Sequence, residues 1–412
     1  MKFLRKVGFL AVPALLWMAQ LGCGDYYRPV ANPVVSPGGQ PQNAHFAWVV
    51  NFNPNGPGST TEIDVSGDSN LAVNTMGAGS IAEAFPPSSL ALFVANRDND
   101  TVSEYLPTLA GPITTISLLA GSHPVSLNSS QVGNMFVLNS GPNSACPSGG
   151  SVSTIPLTSL AVSATACVGP APFAMAQSSS NNVLYVLNQD GSVSVVNAGA
   201  VSTITSLMGQ SPAAITTTTN GAYILIVTQG DGANPPALNI VAAGMATVAA
   251  SVPVGMHPTF ATVDPTLNRL YVANTGDNTV SVFDASNVNP ANMPPIPQLA
   301  TVPVGTSPIG VTALTDGSRF YVANSASNDV TVVSANSFSP LGTIPLPAGA
   351  NPVFIASDPT ASKVYVADQG TSQTTIIQTS NNAIGGNITA PPQQSGCTSS
   401  CALQQPMMVV TQ

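Results

Sequence analysis

The residues of this chain that could contact or transform a ligand recur at one position of a repeat. Eight times a short strand-like segment opens with a proline, replaced once by Ser80, and the residue before it varies. We call this position the slot, and its occupants are Gly79, His123, Ala171, Ser211, His257, Ser307, Asn351 and Gln405, among them two of the chain's three histidines. Imidazole, hydroxyl and amide groups gathered at one place would bind a polar ligand by neutral hydrogen bonds, and an imidazole could also activate a water molecule.

Other residues suited to catalysis are few, since charged residues make up only 6% of the sequence. The sequence contains no GxSxG nucleophile elbow, HExxH helix, P-loop or glycine-rich dinucleotide fingerprint. The run Asp98-Asn99-Asp100 lacks the glycine and the distal glutamate of a calcium loop and is more typical of a turn. We therefore predict no catalytic residue, no metal site and no cofactor.

A second repeat indicates which elements carry the slot. Tetrapeptides of the type Tyr-Val-Ala-Asn begin at Trp48, Phe93, Phe136, Tyr185, Ile226, Tyr271, Tyr321 and Tyr365, at spacings of 41 to 50 residues. The copy at Tyr271 precedes a polar turn and a second strand, Thr279–Asp284. A period of about 40 to 50 residues that carries only strand signals is typical of a β-propeller with one four-stranded blade per repeat. The predicted fold class is therefore all-β.

The number of repeats predicts the number of blades and the way the ring closes. Eight tetrapeptides and eight slots predict eight blades, with seven as the alternative if a weak repeat (residues 79–133, or the copy at Ile226) is irregular. The final segment, Gln405–Gln412, has no tetrapeptide after it, and the first tetrapeptide, at Trp48, has no proline segment before it. We predict that these two pair, so that the C-terminal strand completes the blade begun by residues 46–77 and leaves no open sheet edge.

This architecture would place the slot at one mouth of the central channel, if the proline segment is the innermost strand of each blade. The tetrapeptide asparagines would end on the same face. The predicted ligand site is His123, Ser211, His257, Ser307 and Asn351. Eight blades stand about 45° apart, so the histidines of the third and sixth blades would lie about 135° apart, across the channel. We expect no shared zinc, since each nitrogen would need to lie about 2.0–2.1 Å from it. The alternative is that polar residues before proline simply suit a turn.

The chain resembles the YVTN-repeat β-propeller family, which is named for a Tyr-Val-Thr-Asn tetrapeptide. The resemblance covers residues 45–412, although only Val227-Thr228-Gln229 keeps the threonine. It implies the propeller fold, and the related lactonase-type propellers share the blade pattern. Three functions stay open: a non-catalytic binding or scaffold module, a hydrolase acting on a sugar lactone at the channel mouth, and an adhesion protein with the propeller as filler. The small number of charged residues favours the binding module.

The N-terminus carries the features of an exported lipoprotein. Residues 1–22 form a predicted export signal, in which three basic residues precede an apolar run. The stretch Gln20–Cys23 resembles the bacterial lipobox, although Gln20 stands where leucine is usual. We predict lipidation of Cys23, and an ordinary secretory signal is the alternative.

The residues after the signal are predicted to join a lipid anchor to a single propeller domain at residues 45–412. Residues 23–44 are rich in proline, glycine, asparagine and glutamine, which is typical of a flexible tether. Gly24 rather than aspartate follows Cys23. The resemblance to lipoproteins then implies the outer membrane or the cell surface of a bacterial envelope rather than the inner membrane.

The four remaining cysteines are an even number in an exported chain, which favours disulfides. Cys146 and Cys167 lie in one repeat, and Cys397 and Cys401 lie just before the last strand. We predict the pairs Cys146–Cys167 and Cys397–Cys401.

Charge limits the predicted partners. Removing the leader takes 3 of the 8 basic residues and none of the 17 acidic ones, which leaves a net charge of 5 − 17 = −12. Since few cations remain to neutralise phosphates, we expect no nucleic-acid partner. The expected partner is an unidentified envelope protein or a small ligand, with membrane contact through the lipid anchor only and a monomeric propeller.

Overall fold

A computed structural model describes residues 46–67, 69–84, 91–106, 111–130, 133–393 and 401–411. In these residues the chain forms eight four-stranded antiparallel sheets, and sequential strands are neighbours in each sheet. The chain is therefore an eight-bladed, all-β propeller, and the seven-blade alternative is wrong. Both weak repeats, at residues 79–133 and at Ile226, belong to complete sheets.

The first four blades contain half of the strands. The first contains β1 (Phe46–Phe52), β2 (Pro57–Asp64), β3 (Ser69–Ala78) and β32 (Gln405–Thr411). The second contains β4 (Ser80–Ala84), β5 (Leu92–Asn96), β6 (Thr101–Tyr105) and β7 (Thr114–Ser117), with a 3₁₀ turn at Arg97–Asn99. The third contains β8 (Pro124–Ser129), β9 (Asn134–Asn139), β10 (Ser151–Pro156) and β11 (Ala164–Cys167). The fourth contains β12 (Pro172–Gln177), β13 (Leu184–Asn188), β14 (Val193–Asn197) and β15 (Ala200–Ile204).

The last four blades repeat the same order. The fifth contains β16 (Pro212–Thr217), β17 (Tyr223–Thr228), β18 (Ala237–Ala242) and β19 (Val248–Pro253). The sixth contains β20 (Pro258–Asp264), β21 (Arg269–Asn274), β22 (Thr279–Asp284) and β23 (Gln298–Pro303). The seventh contains β24 (Pro308–Ala313), β25 (Arg319–Asn324), β26 (Asp329–Ser334) and β27 (Pro340–Pro345). The eighth contains β28 (Pro352–Ser357), β29 (Lys363–Asp368), β30 (Gln373–Gln378) and β31 (Ala383–Thr389).

The proline strands are the innermost strands of the ring. From β4 to β32, and from β32 back to β4, each contacts the proline strand of the next blade. Proline at the first residue of a strand sacrifices no internal ladder hydrogen bond, so it suits this position. The tetrapeptide strands behind them are buried and form the core between blades. Tyr271, for example, packs with Val322 and Phe320 of the next blade.

The two ends of the propeller pair as predicted. Strand β32 lies antiparallel to β1, with Trp48 opposite Val410 and Val49 opposite Val409. Val409 is buried against Tyr365 of the eighth blade. Phe52 pairs with Gln405, while Ala47 pairs with Thr411. The chain therefore enters β1 at the face of the ring opposite the slot.

Three basic residues bond neighbouring blades together. Arg269, Arg319 and Lys363 each lie two residues before a tetrapeptide tyrosine. Each side chain donates to a backbone carbonyl in the next blade: those of Ala335, Thr379 and Val65, respectively. These cations are thus part of the fold, and the last of them bonds the eighth blade to the first.

The disulfide Cys146–Cys167 is present, with a Cα–Cα distance of 5.4 Å, and confirms that predicted pair. Cys401 is also disulfide-bonded. Its predicted partner, Cys397, lies outside the described residues, as do Cys23 and the predicted signal and tether. Of the helical segments in the described part of the chain, none has the length and apolar character needed to cross a membrane.

Candidate functional site

The slot has a special backbone conformation in seven of the eight blades. Its residues adopt the left-handed region, with φ between 43° and 70°, at Gly79, His123, Ala171, Ser211, His257, Ser307 and Asn351. The eighth residue, Gln405, already belongs to β32. A left-handed residue turns the chain from the outer strand of one blade into the innermost strand of the next. Histidine, serine and asparagine are among the residues that turns accept, so the slot has a structural reason to be polar.

Hydrogen bonds fix the slot backbone between two blades. The slot carbonyl accepts the N–H of the residue that follows the tetrapeptide, as in Thr275 to His257 at 3.0 Å and Ser325 to Ser307 at 2.9 Å. Within the described ranges, the slot N–H of three blades donates to a side chain in the turn of the preceding blade, as His123 does to Asp100 at 2.7 Å. Ser307 donates to Asn278 at 2.9 Å and Asn351 to Asn328 at 2.7 Å. The slot backbone is therefore hydrogen-bonded to the neighbouring blades.

The slot side chains form fewer hydrogen bonds within the propeller than the slot backbone does. His123, Ser211, His257 and Asn351 are exposed, and Ser307 is partly exposed. Within the described residues, the side chains of Ser211, His257, Ser307 and Asn351 form no hydrogen bond. The geometry thus leaves these polar groups available to a ligand at the end of the channel where the innermost strands begin.

His123 differs from His257 in how its ring is held. Its Nδ1 lies 3.2 Å from the carbonyl oxygen of Arg97. A carbonyl only accepts, so Nδ1 carries the hydrogen and Nε2 of the neutral ring keeps its lone pair. The Asp100 carboxylate lies 3.9 Å from Nδ1, and the side chain of His123 is 49% exposed. His123 is therefore an oriented imidazole whose free nitrogen can accept a hydrogen bond or a proton.

The two histidines belong to blades that are far apart in the ring. His123 precedes β8 of the third blade and His257 precedes β20 of the sixth. This agrees with the predicted separation of three blades. No group of three or more His, Cys, Asp or Glu side chains in the described ranges is arranged to hold a metal.

The tetrapeptide asparagines serve the fold and are withdrawn from the channel mouth. Asn96, Asn139, Asn188, Asn274 and Asn324 are fully buried. The Nδ2 of Asn274 donates to Thr279 at 3.1 Å and Ser281 at 3.0 Å on the neighbouring strand, and the other four asparagines make equivalent bonds. The expectation that they end on the slot face is right for the backbone, but their side chains cannot contact a ligand.

The residue after each proline is a channel position that the sequence analysis missed. From the third blade to the closing strand, these residues are partly or fully exposed although they lie in innermost strands: Val125, Phe173, Ala213, Thr259, Ile309, Val353 and Met407. Six of the seven are apolar, and Val125, Ile309 and Val353 also pack against the cores between blades. The signal in the sequence is the small or apolar residue after most of the prolines, which is also an ordinary strand pattern. The innermost strands directly after the polar slot therefore present partly exposed, mainly apolar side chains.

Comparison with known proteins supports the fold. Residues 147–350 match the family model described as lactonase, 7-bladed β-propeller. The chain is a β-propeller with a lactonase-like segment. This segment includes Ala171, Ser211, His257 and Ser307 but excludes His123 and Asn351. No curated protein matches the sequence of the propeller.

Three solved structures illustrate the likeness of fold. Dihydro-heme d1 dehydrogenase NirN in complex with DHE is 12% identical, with a TM-score of 0.68 over 93% of this propeller chain and 78% of that chain. Apo AztD from Citrobacter koseri is 12% identical, with a TM-score of 0.58 over 89% and 98%. Kuenenia stuttgartiensis hydrazine synthase is 18% identical, with a TM-score of 0.51 over 71% and 96%. At these identities the likeness concerns the fold alone.

Proposed function

We propose that the chain is an exported, lipid-anchored propeller of the YVTN-repeat type that binds a ligand or partner protein at the slot mouth without catalysis. The observation that carries this proposal is the difference between the backbone and the side chains of the slot residues. Its backbone is bonded between blades, whereas the side chains of Ser211, His257, Ser307 and Asn351 are exposed or partly exposed and make no bond within the described residues. Ala171 adopts the same left-handed conformation without a polar side chain, so the turn does not require the imidazole, hydroxyl and amide groups found in other blades.

The composition of the innermost strands favours a ligand with an uncharged, apolar part. Apart from Glu83 and Asp264, the innermost strands carry no charged residue. Arg97, close to His123, is paired with Asp98 at 2.9 Å. A ligand could bond the neutral slot side chains at its polar end and place an apolar group among the residues that follow the prolines.

Replacing both mouth histidines tests this proposal. The His123→Ala, His257→Ala protein should bind at least about tenfold more weakly any ligand found by thermal-shift screening of the purified mature protein, because two hydrogen bonds are lost. Its melting temperature should stay close to that of the wild type, since Ala171 occupies the same left-handed slot in the fourth blade. Isothermal titration calorimetry measures the affinity.

The third histidine provides the matched control for this experiment. His45 precedes β1 and is not a slot residue. The His45→Ala protein should bind as the wild type does. If the double variant bound the ligand as tightly as the wild type does, the slot would not be part of the ligand-binding site.

Lactone hydrolysis is the alternative function, and two observations favour it. Residues 147–350 match the lactonase family model, and His123 presents an oriented imidazole that could take a proton from water. On the binding-module proposal, purified protein should hydrolyse a sugar δ-lactone no faster than buffer. If the protein hydrolysed the lactone faster than buffer does, and His123→Ala lowered that rate, the chain would be a hydrolase rather than a non-catalytic binding module.

A lipid anchor at Cys23 would suit a binding role for the slot mouth. Because the chain enters β1 at the face opposite the slot, a tether ending in lipid at Cys23 would let the mouth face away from the membrane. The mature protein should begin at an acylated Cys23, which intact-mass analysis would detect. Stable membrane attachment needs two or more hydrophobic anchors, and the acyl chains on Cys23 would supply them. Cys23→Ala should therefore move the protein to the soluble fraction. Continued membrane partitioning of that variant would contradict lipidation.

A further inference from the structure

A cavity of about 220 Å³ lies at the end of the channel opposite the slot. It is formed where the innermost strands of the sixth, seventh and eighth blades end, by residues of β20, β24 and β28 and the turns that follow β20 and β24. Its size is below the range of about 300–1,000 Å³ that is typical of sites for drug-sized ligands. A ligand of this cavity must therefore be small.

The hydroxyl groups of the cavity are arranged mainly as hydrogen-bond acceptors. Thr312 donates its hydroxyl to Ser357 at 3.0 Å, and Ser357 donates to the carbonyl of Ala313 at 2.9 Å. Thr315 donates to the carbonyl of Pro359 at 2.8 Å. A hydroxyl has one donor and two acceptor positions, so the donors of all three are in use. Thr312 also accepts the N–H of Ser357 at 3.0 Å, and Ser357 accepts the hydroxyl of Thr312, so each of these two keeps one acceptor position. The Thr262 hydroxyl forms no hydrogen bond within the described residues.

The cavity also contains a buried carboxylate without a cationic partner. Asp264 is only 4% exposed and accepts the N–H groups of Thr266 at 2.8 Å and Leu267 at 3.3 Å. In the described ranges no basic group lies within 4.0 Å of it. The guanidinium of nearby Arg269 bonds the carbonyl of Ala335 and lies 4.8 Å over the ring of Phe338. A ligand that brings a positive charge would find Asp264 unpaired.

We propose that this cavity binds a small hydroxylated amine of monosaccharide size, such as an amino sugar. The ammonium group bonds Asp264, the hydroxyl groups donate to Thr312, Thr315 and Ser357, and Thr262 donates to a ring or hydroxyl oxygen. Val263, Val311 and Ala313 supply apolar contacts for the C–H face of the ligand. The volume is several times that of a metal ion with one water, since a water occupies about 30 Å³, so an organic ligand fits the space better.

The test uses glucosamine as the probe and glucose as its uncharged comparator. Calorimetric or ligand-observed NMR titration of the purified mature protein is performed at about pH 6, where an aliphatic amine is protonated. Glucosamine should bind about tenfold more tightly than glucose, because a charge-assisted hydrogen bond is stronger than a neutral one. Asp264→Asn should remove this preference while its one amide oxygen retains the shorter turn hydrogen bond, from the N–H of Thr266. Thr262→Val should weaken both sugars several-fold without loss of any internal hydrogen bond.

The same strand offers a matched control. Thr259 lies on β20 near the slot and away from the cavity, so Thr259→Val should leave both affinities unchanged. The double histidine variant of the slot should also bind glucosamine normally, which separates this site from the proposed slot ligand. The absence of glucosamine binding, equal binding of glucose, or a loss in Thr259→Val as large as in Thr262→Val would overturn the proposal.

Discussion

A propeller that lacks residues 405–412 should melt roughly 10 °C or more below the full chain and should aggregate. Strand β32 pairs with β1 from Ala47 to Phe52, and Thr411 donates its hydroxyl to the carbonyl of Ser357 at 2.8 Å. Each backbone hydrogen bond contributes about 0.5–1.5 kcal/mol net, and several would be lost together with the burial of Val409. Circular dichroism on heating and light scattering measure the two effects. Aggregation is expected because the first blade would present an unpaired edge.

Two point variants of the closing strand separate burial from strand length. Val409 is 1% exposed and packs against the eighth blade, while its neighbour Val410 is partly exposed. Val409→Ala should therefore cost about 1–3 kcal/mol of unfolding free energy, and Val410→Ala clearly less. A truncated protein that melts as the full chain does would show that the two termini do not close the ring.

The fold could be predicted because nearly every blade repeats the same local sequence pattern. The spacing of the tetrapeptides and the prolines determined the blade count, and the unmatched segments at Trp48 and Gln405 determined the closure. Cys146 and Cys167 could be paired because both lie within one repeat. Such features depend on order along the chain, which a sequence displays directly.

The site could be predicted only in part, because its bonds join residues of different blades. The slot was found from sequence, but its left-handed backbone and its bonds to residues such as Asn278 and Asn328 were not. Nor did the sequence indicate that Asp264, Thr312 and Ser357 share a cavity. These contacts depend on the angle between blades, which no local pattern encodes. The tetrapeptide asparagines show the opposite case. They are polar and end near the mouth, but their side chains are hydrogen-bonded inside their own blades.

Asp368 provides a second large expected effect, because it is a carboxylic acid at a position where six other blades have asparagine. It ends β29, is fully buried, and accepts a hydrogen bond from the hydroxyl of Thr375 on the next strand. Thr375 lies seven residues later, as Ser281 does after Asn274. Burial raises the pKa of Asp368 to about 7, while the Thr375 hydroxyl acts in the opposite direction.

The sign of the resulting pH dependence follows from this raised pKa. An aspartate of the unfolded chain titrates near pH 3.9, so between about pH 4 and pH 7 the folded protein binds a proton that the unfolded chain has lost. The stabilisation from the protonated acid is complete below about pH 4 and is lost as the pH rises through 7. Wild-type protein should therefore become less stable from pH 5 to pH 8.

Asp368→Asn should remove this loss, because an amide does not titrate and the same position accepts asparagine in other blades. The variant should resemble the wild type near pH 4 and exceed it at pH 8. Since each tenfold change in proton affinity is worth about 1.4 kcal/mol, the difference reaches on the order of 4 kcal/mol at most. Urea unfolding of both proteins from about pH 4.5 to 8.5 measures it. Asp277→Asn removes one carboxylate from an exposed turn and is the control for the change of a single charge. If wild type and Asp368→Asn lost stability in parallel across this range, the buried acid would not be the group that makes the propeller sensitive to pH.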